Sequence, residues 1–327
     1  MAKISFQGQT YQAAAGETVL DLLEREGYAV PSSCRSGVCQ SCLLRATKGV
    51  PPGAAQSGVK DTLRAQGYFL SCRCEPVEDM DVEMPGEGVA KYGTTITGIE
   101  WLSKTVIELR TTRPEGFDYC AGQFATLISP EGVARSYSIA SVPELDDDLV
   151  FQIALLPNGA MSGWLAEHAK PGTTLDVQGP NGACFYVAGK PDQSLVLAGT
   201  GTGLAPLFGI ARDALRQGHA AAVHLFHGSL ASEGLYLVDA LRALAEKHDN
   251  FHYYPCALNG PAPAGIHVGA LDSHLLERLP SLTGHRAYLC GAPEFVKLMQ
   301  RKVFLAGVSL PEILADSFLP AKAAPGA

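Results

Sequence analysis

The sequence predicts a multidomain protein that combines α+β and α/β architecture, and three observations support this prediction. The chain has 327 residues, more than one hydrophobic core usually serves, so two or three domains are expected. From about residue 94 to 187, short β-rich runs are separated by Gly, Pro and Asp. After residue 188, strand patterns alternate with helix patterns, which is typical of a parallel sheet covered by helices. We expect domains at 1–86, 93–187 and 188–320.

The first expected domain contains all the closely spaced cysteines. Its N-terminus, MAKISFQGQTYQ, alternates as a strand does, and VEDMDVEMP near its end alternates in the same way. The Gly-containing stretch from Gly86 to Gly93 then indicates a linker.

The second and third domains differ in their periodicity. Six short runs predict an antiparallel barrel or sandwich: TTITGIEWL, KTVIELRTT, QFATLIS, ARSYSIA, LVFQIALL and TTLDVQG. In the third domain, four runs predict strands: SLVLAG, AAVHLFHG, FHYYPCAL and AYLCG. The helices expected between and after them run through Leu215, over LYLVDALRALAEKH, near 271–279 and over EFVKLMQRKVFLAG.

Composition and charge exclude several classes of protein. With 46% hydrophobic and 18% charged residues, the chain is typical of a globular protein, and its net charge of −8 argues against a general nucleic-acid binder. No stretch approaches the ~18 apolar residues of a membrane span, and the N-terminus has no apolar run typical of export. We therefore expect a cytoplasmic protein without nucleic-acid or membrane partners, in which clustered cysteines bind metal.

Four cysteines have the spacing of an iron–sulfur site. Cys34, Cys39 and Cys42 form the pattern C-x4-C-x2-C, and Cys72 follows after 29 intervening residues, as in plant-type [2Fe–2S] proteins. Cys74 is the alternative fourth ligand, because it points to the same face as Cys72 if the segment is extended. A structural zinc site would more often contain paired C-x2-C elements, and this region contains one.

The second domain contains a candidate flavin site. Arg135 and Tyr137 lie on one face of a predicted strand, and the two serines of RSYS lie on the other. About twenty residues later, Gly159–Ser162 opens a predicted helix, whose N-terminus suits a phosphate. Such a strand and helix start could hold a flavin pyrophosphate. The alternative is that Ser162 only caps its helix.

Two loops of the third domain suit a nicotinamide nucleotide. GTGTGLAP at 199–206 follows a buried strand, and its glycines allow backbone amides to approach a pyrophosphate, although Leu204 departs from the G-x-G-x-x-G pattern. CGAP at 290–293 ends another strand, where ligands bind in parallel α/β sheets. Cys290 alone could be a core thiol. Three further cysteines lack neighbours in sequence and are interpreted as structural: Cys120, Cys184 and Cys256.

Taken in order, the motifs RSYS, GAMS (159–162), GTGTGLAP and CGAP resemble the ferredoxin–NADP reductase superfamily. With the N-terminal cysteine pattern, the chain is similar over residues 1–319 to the NADH-dependent reductases of bacterial multicomponent oxygenases. This resemblance implies a β-grasp ferredoxin domain, a six-stranded FAD-binding barrel and an NAD-binding domain. It also implies that electrons pass from NADH through FAD and the [2Fe–2S] cluster to a terminal oxygenase or hydroxylase component, or to a separate ferredoxin.

The resemblance implies roles for single residues. Arg135 would bind the FAD pyrophosphate, Tyr137 would stack on the isoalloxazine, and Ser138 would form a hydrogen bond near flavin N5. The FAD phosphates would be held by Gly159, Met161 and Ser162. Cys290 would sit beside the nicotinamide ring and act with Ser138 in catalysis. Gly201, Thr202 and Gly203 would face the nicotinamide nucleotide. Phe318, the final aromatic residue, would lie near the flavin.

Two positions depart from the family's pattern. A separate segment bears on the choice between NADH and NADPH. Gln40 stands in the cysteine loop where a small residue is more usual, and Thr200 replaces the Gly of many members. After the second strand of the third domain, GSLASEGLYL contains Glu233 but no Arg or Lys. Because NADPH-specific sites use cations for the 2′-phosphate, we expect NADH to be the substrate.

Two alternative functions remain open from the sequence. The chain could be the reductase partner of a deoxysugar dehydratase of the CDP-6-deoxy-glucoseen type, or a non-enzymatic ferredoxin-like redox sensor. As a further hypothesis, three arginines that flank the cluster cysteines dock an acidic patch of the electron acceptor: Arg35, Arg45 and Arg73.

Overall fold

The computed structural model describes residues 2–32, 34–59, 61–84 and 91–318. Residues 86–90 of the expected linker and residues 319–320 at the end of the expected third domain lie outside these ranges. The described residues form three sheets. Among them, no helix is both long enough and apolar enough to cross a lipid bilayer.

The first sheet is mixed and has five strands in the order β2-β1-β5-β3-β4. Its elements are β1 (Lys3–Phe6), β2 (Gln9–Gln12), α1 (Val19–Arg25), β3 (Leu43–Lys48), α2 (Asp61–Arg64), β4 (Tyr68–Leu70) and β5 (Met80–Glu83). The central pair β1 and β5 is parallel, and the other pairs are antiparallel. Helix α1 begins after Thr18, which accepts a hydrogen bond from the Asp21 N–H, and buries its apolar side in the core. The expected β-grasp domain is confirmed.

The second sheet is antiparallel throughout and has six strands in the order β10-β7-β6-β11-β8-β9. Its elements are β6 (Lys91–Trp101), β7 (Val106–Thr112), β8 (Phe124–Ile128), β9 (Ala134–Ser138), β10 (Asp148–Ala154), α3 (Ala160–Glu167) and β11 (Thr174–Asn181). An antiparallel bridge between Ile139 and Phe151 joins the two edges and closes the barrel. All six predicted strands are present.

The third sheet is entirely parallel and has the order β15-β14-β13-β12-β16-β17. Its elements are β12 (Leu195–Thr200), α4 (Leu204–Arg216), β13 (Val223–Ser229), α5 (Val238–Lys247), β14 (Phe251–Ala257), β15 (His267–Val268), α6 (Leu271–Arg278), β16 (Arg286–Gly291), α7 (Pro293–Leu305) and β17 (Ile313–Ser317). Strand order reverses between β12 and β16, so the loops after these strands form the crevice where parallel sheets bind ligands.

Three details of the third domain differ from the sequence prediction. Helix α5 begins at Val238 rather than at Leu235, because Leu235 and Tyr236 are buried in an extended segment before it. The edge strands β15 and β17 were not predicted, since each is short and only half-buried at most positions. Strand β17 matters most, because it returns the end of the described chain to β16.

Candidate functional site

The loop between α1 and β3 gathers three of the predicted cluster cysteines, and a 3₁₀ turn after β4 adds Cys72. The Cys34 Sγ accepts hydrogen bonds from the backbone N–H groups of Ser36, Val38 and Cys39, each at 3.4 Å. A hydrogen bond with the Cys39 thiol, together with bonds from Ser36 and from the Cys39 N–H, lowers the pKa of Cys34 to about 4. Four thiols with backbone donors aimed at sulfur are the donor set that a [2Fe–2S] cluster needs.

The cysteine loop reaches this shape through left-handed backbone conformations. Arg35, Gly37 and Gln40 have φ values of 50°, 86° and 57°. Only glycine suits position 37, because an added Cβ would also lie 3.0 Å from the Arg73 Cγ. The Gln40 side chain donates to the Gly58 carbonyl oxygen at 3.1 Å, so this departure from the family's pattern ties the loop to the segment before α2.

The structure distinguishes between the two candidates for the fourth sulfur position. Cys72 and Cys42 are close enough to shift each other's pKa, lowering that of Cys72 and raising that of Cys42, and the charges of Cys34 and Cys39 also act on Cys72. Cys74 is fully buried in the first core, and burial is the cause that raises its pKa to about 12. The segment is a 3₁₀ turn, so the premise of an extended segment was wrong and the two thiols do not share a face.

Strand β9 carries the predicted flavin residues. Arg135 is half-buried and its Nη1 donates to two carbonyl oxygens, that of Ala134 at 2.7 Å and that of Ser32 in the first domain at 3.4 Å. Among the described residues, it forms no ion pair with a carboxylate, so its charge remains available for an anion such as a pyrophosphate. Tyr137 packs against the barrel core, and burial raises its pKa.

Ser138 makes a contact that the sequence did not suggest. Its hydroxyl donates to the Oδ2 of Asp316 at 3.3 Å, across 178 residues. Asp316 is on β17, opposite Cys290 of β16, and burial raises its pKa to about 6. The short segment ADSF offered one signal, because alternation places Asp316 on the same side as Phe318. The sequence interpretation used only the aromatic residue.

The start of helix α3 supports a phosphate site in part. The N-cap residue is Gly159, which has no side chain to accept a hydrogen bond. The first N–H groups of the helix are therefore not capped by a side chain of the N-cap residue. Ser162 does not cap the helix, because its Oγ accepts from the Leu156 N–H and lies 3.2 Å from the Leu156 carbonyl oxygen. The Met161 side chain is buried in the barrel core. What these residues offer a phosphate is therefore mainly backbone N–H groups.

The two nucleotide loops touch each other at the switch point. Gly201–Gly203 forms a 3₁₀ turn that leads into α4, with Gly201 in the left-handed region at φ 55° and Thr202 half-buried. A Cβ on Gly203 would lie 2.4 Å from the Cys290 carbonyl oxygen, so glycine is needed there for close packing of the loops. The half-buried Phe318 donates its N–H to the Gly291 carbonyl oxygen at 2.8 Å.

Cys290 is fully buried, and burial raises its pKa. Its Sγ lies 3.7 Å from the Sγ of Cys184, which is in the segment between β11 and β12. The sequence interpretation treated Cys184 as a structural thiol without a neighbour. Because 106 residues separate the pair, no spacing rule could have indicated it.

The three arginines that were expected to dock the electron acceptor differ in their surroundings. Arg35 is bound to Asp21 at 2.9 Å and to Glu24, and only 10% of its side chain is exposed. The hypothesis that Arg35 docks an acceptor was therefore wrong, because its charge is balanced within the first domain. Arg45 pairs with a carboxylate of β5, and Arg73 is exposed. Glu233 is exposed in a 3₁₀ turn after β13.

Comparison with known families matches all three domains. Residues 3–77 match the 2Fe-2S iron-sulfur cluster binding domain, residues 95–186 the oxidoreductase FAD-binding domain, and residues 197–301 the oxidoreductase NAD-binding domain. The cofactors expected from the sequence, a [2Fe–2S] cluster, FAD and NADH, are confirmed at the level of these domains. The chain is an oxidoreductase that passes electrons from NADH through FAD to a [2Fe–2S] cluster, and the alternative of a non-enzymatic sensor is not supported.

Individual relatives match nearly the whole chain. The reductase component of the naphthalene 1,2-dioxygenase system of Pseudomonas putida is 31% identical over 315 residues, with 94% of this chain and 95% of the relative covered. The reductase subunit of an aromatic O-demethylase of Amycolatopsis is 31% identical, with 97% and 98% covered. The crystal structure of the Amycolatopsis cytochrome P450 reductase GcoB has a TM-score of 0.72 and 28% identity, with 98% of this chain and all of that chain covered. The chain thus belongs to the family of three-domain, flavin- and [2Fe–2S]-dependent ferredoxin–NAD(P)+ reductase components of oxygenase systems.

Proposed function

We propose that this protein supplies electrons from NADH to the terminal component of an oxygenase or hydroxylase system that acts on aromatic compounds, directly or through a separate ferredoxin. The observation that supports this most is the strand pair β8–β9. One face of it contacts the cysteine loop of the first domain through Thr126, and the β17 strand of the third domain through Ser138. The three cofactor-binding domains therefore meet on one pair of strands.

The cluster is held, in this proposal, by Cys34, Cys39, Cys42 and Cys72. The mutual proximity of the four sulfurs and the backbone donors around Cys34 support this set over one that contains Cys74. Backbone N–H groups that bond ligand sulfurs stabilise the extra negative charge of the reduced state. Val38 at the rim of this loop is exposed and offers an apolar contact for an acceptor.

FAD is held by the second domain. We propose that Arg135 binds its pyrophosphate, that Tyr137 orients the ring system, and that the backbone of Gly159–Ser162 binds phosphate oxygens. The free charge of Arg135 and the uncapped start of α3 support these roles. When bound, FAD takes up a hydride from NADH and passes on electrons singly, and the cluster carries one electron at a time.

Ser138, Asp316 and Cys290 form the proton-handling and positioning part of the site. The flavin's chemistry would require a proton to be moved, and Ser138 is bonded to a carboxyl whose pKa is raised to about 6. We propose that Asp316 accepts this proton through the Ser138 hydroxyl. The backbone of Cys290 packs against Gly203 of the nicotinamide loop and its neutral thiol is buried against Cys184, so we propose that Cys290 positions this loop.

The preference for NADH is assigned to the turn that contains Glu233. The side chain is exposed after β13, beside the crevice, and the segment GSLASEGLYL has no cation that could bind a 2′-phosphate. A carboxylate there repels that phosphate and can accept a hydrogen bond from a ribose hydroxyl. We also propose that the protein works in the cytoplasm, because none of its nine cysteines forms a disulfide.

The names of the relatives favour an aromatic oxygenase over a deoxysugar dehydratase as the acceptor, because they refer to naphthalene dioxygenase, phenol hydroxylase and aromatic O-demethylase systems. The test is an anaerobic titration of the purified protein with NADH, followed by visible absorbance and low-temperature EPR. Flavin bleaching with a reduced [2Fe–2S] signal is expected. The reduced protein is then mixed with an aromatic-ring oxygenase, a ferredoxin or a deoxysugar dehydratase. Faster reoxidation by the dehydratase than by the other two would contradict the proposal.

A further inference from the structure

Three hydroxyl groups form a continuous chain from a predicted cluster ligand to the flavin strand. The Ser41 Oγ donates to the Cys39 Sγ at 3.1 Å and lies 3.0 Å from the Thr126 Oγ1 of β8. The Thr126 Oγ1 lies 2.9 Å from the Ser136 Oγ of β9. Ser41 and Thr126 are both buried, so water does not compete for these bonds.

The direction of the hydrogen bonds follows from the chemistry of the sulfur. A cysteine that ligates iron is a thiolate and can only accept, so the single proton of Ser41 is committed to Cys39. Thr126 must then donate to Ser41, and Ser136 must donate to Thr126. The three O–H dipoles therefore align and point toward the cluster, and each bond strengthens the next.

The position of this chain links it to the flavin side of the barrel. In the β8–β9 register, Thr126 is opposite Ser136 and Phe124 is opposite Ser138. Residues two apart on a strand are separated by about 7 Å, so Ser136 is about that far along β9 from Ser138, which is bonded to Asp316.

An apolar contact seals the same face. The Phe124 ring packs against Cys34 and Cys39, and together they form a buried cluster. Gly182 makes room for this ring, because a Cβ there would lie 3.0 Å from it. The contact between the first two domains at this point is therefore dry, and a low dielectric strengthens the effect of the aligned dipoles on charge at the sulfur.

We propose that Ser41, Thr126 and Ser136 are positioning residues that seat the cysteine loop on the flavin strand, raise the reduction potential of the cluster and speed electron transfer from FAD to it. The dipoles stabilise the added negative charge of the reduced cluster. This inference rests on the proposed role of Cys39 as a ligand, and it adds a specific connection between the first and second domains.

The test compares the holoprotein with the variants Ser41→Ala, Thr126→Val and Ser136→Ala. Thr111→Val is the matched control, because Thr111 is buried in the same barrel and its hydroxyl has no hydrogen-bond partner among the described residues. The midpoint potential of the cluster is measured by EPR-monitored titration. Stopped-flow mixing with NADH then separates flavin reduction from cluster reduction.

We expect Ser41→Ala to lower the equilibrium constant for cluster reduction about tenfold, which corresponds to about 59 mV for one electron. Thr126→Val should lower both this constant and the flavin-to-cluster rate by about threefold to tenfold, and Ser136→Ala should have the smallest effect. Flavin reduction by NADH should stay unchanged in all three. Thr126→Ser keeps the hydroxyl and should restore the potential.

Two results separate this inference from the proposed function. If Thr126→Val and Ser136→Ala have the same potential and cluster-reduction rate as Thr111→Val, the hydroxyl chain has no role in electron transfer. That outcome leaves the function intact, provided that the wild-type protein shows its reduced-cluster signal. Absence of that signal in the wild type would instead refute the assignment of the cluster ligands.

Discussion

Cys34 in the first domain and Cys290 in the third are both buried, yet their surroundings act on the two thiols in opposite directions. Hydrogen bonds from Cys39 and from backbone N–H groups lower the pKa of Cys34 to about 4. Burial raises the pKa of Cys290, because its contacts are largely apolar. Burial in itself therefore does not decide the charge of a thiol; donors that point at the sulfur do.

The same contrast extends to two other groups of the third domain, one next to Cys290 and one two strands away. Burial raises the pKa of Asp316 to about 6 and lowers the pKa of His227 to about 3, so each is pushed toward its neutral form. Hydrogen bonds within the two thiol pairs of the cysteine site lower the pKa values of Cys34 and Cys72 and raise those of their partners, so each pair favours one negative charge, whereas Asp316 and Cys290 are both pushed toward neutral forms. The predictions below test this contrast.

The largest expected effect concerns the cluster ligands. Cys72→Ala should abolish the reduced [2Fe–2S] EPR signal and lower the cluster-dependent reduction of cytochrome c to background, because one of four ligands is lost. Cys74→Ala is the matched control, two residues away and equally buried, and should keep the signal while lowering the free energy of unfolding by about 1 kcal/mol. The reverse outcome, with the cluster lost only in Cys74→Ala, would assign the fourth ligand to Cys74.

The next largest effect concerns the buried carboxyl. Asp316→Asn should slow cluster reduction by about 100-fold, because an amide cannot take up a proton. In the wild type, the rate should fall as the pH drops below about 6, where Asp316 becomes protonated, and the variant should lack this dependence. Stopped-flow measurements at about one-unit steps between pH 5 and 8 give both the rate loss in the variant and the pH dependence of the wild type. Asp176→Asn, on the exposed side of β11, should leave the wild-type profile unchanged.

A smaller effect is expected at the exposed rim of the nucleotide site. Glu233→Arg should raise kcat/KM for NADPH about tenfold, because a cation replaces an anion near the 2′-phosphate. The ratio of kcat/KM for NADH and NADPH is measured in steady state with ferricyanide as the acceptor. Glu294→Arg, at the first turn of α7, is a charge-matched control. An NADPH preference already present in the wild-type protein would contradict the assignment of NADH.

The smallest effect is on stability at low pH. The folded-state pKa of His227 is about 3 and its ordinary value is 6.5, so below pH 6.5 the unfolded chain binds a proton that the folded chain does not. As the pH is lowered from 6.5 to about 3, the free energy of unfolding should therefore decrease, by about 1.4 kcal/mol per pH unit from this group. Urea unfolding at several pH values measures the slope. His227→Asn should flatten it, whereas replacing the exposed His168 by Asn should not.

Much of the fold could be predicted because local patterns determined it. The six barrel strands alternate or are bounded by Gly and Pro, and the buried strands of the parallel sheet are continuous apolar runs. Strand β17 was missed because ILADS is short and half-buried, and its strand conformation depends on pairing with β16. Asp316 was missed with it, since its neighbours Cys290 and Ser138 become neighbours only through that pairing.

The arrangement of the candidate site was predictable where spacing alone determines it, as in the C-x4-C-x2-C loop, whose ligand roles stay a prediction. It was not predictable where backbone conformation or distant charge decides. Cys72 and Cys74 could be distinguished only once the segment was seen to be a 3₁₀ turn. Arg35 was assigned to docking because its partners, Asp21 and Glu24, are on α1 and no spacing rule connects them to the cysteine loop.

The seating of the cysteine loop on strand β8 has a consequence for how the protein matures. Once the first domain is docked, its four candidate ligands are at most 8% exposed, and Phe124 covers two of them. A scaffold that delivers iron and sulfide needs direct access to these thiols. We therefore expect iron and sulfide to reach Cys34 and Cys39 most readily before Phe124 of the barrel covers them.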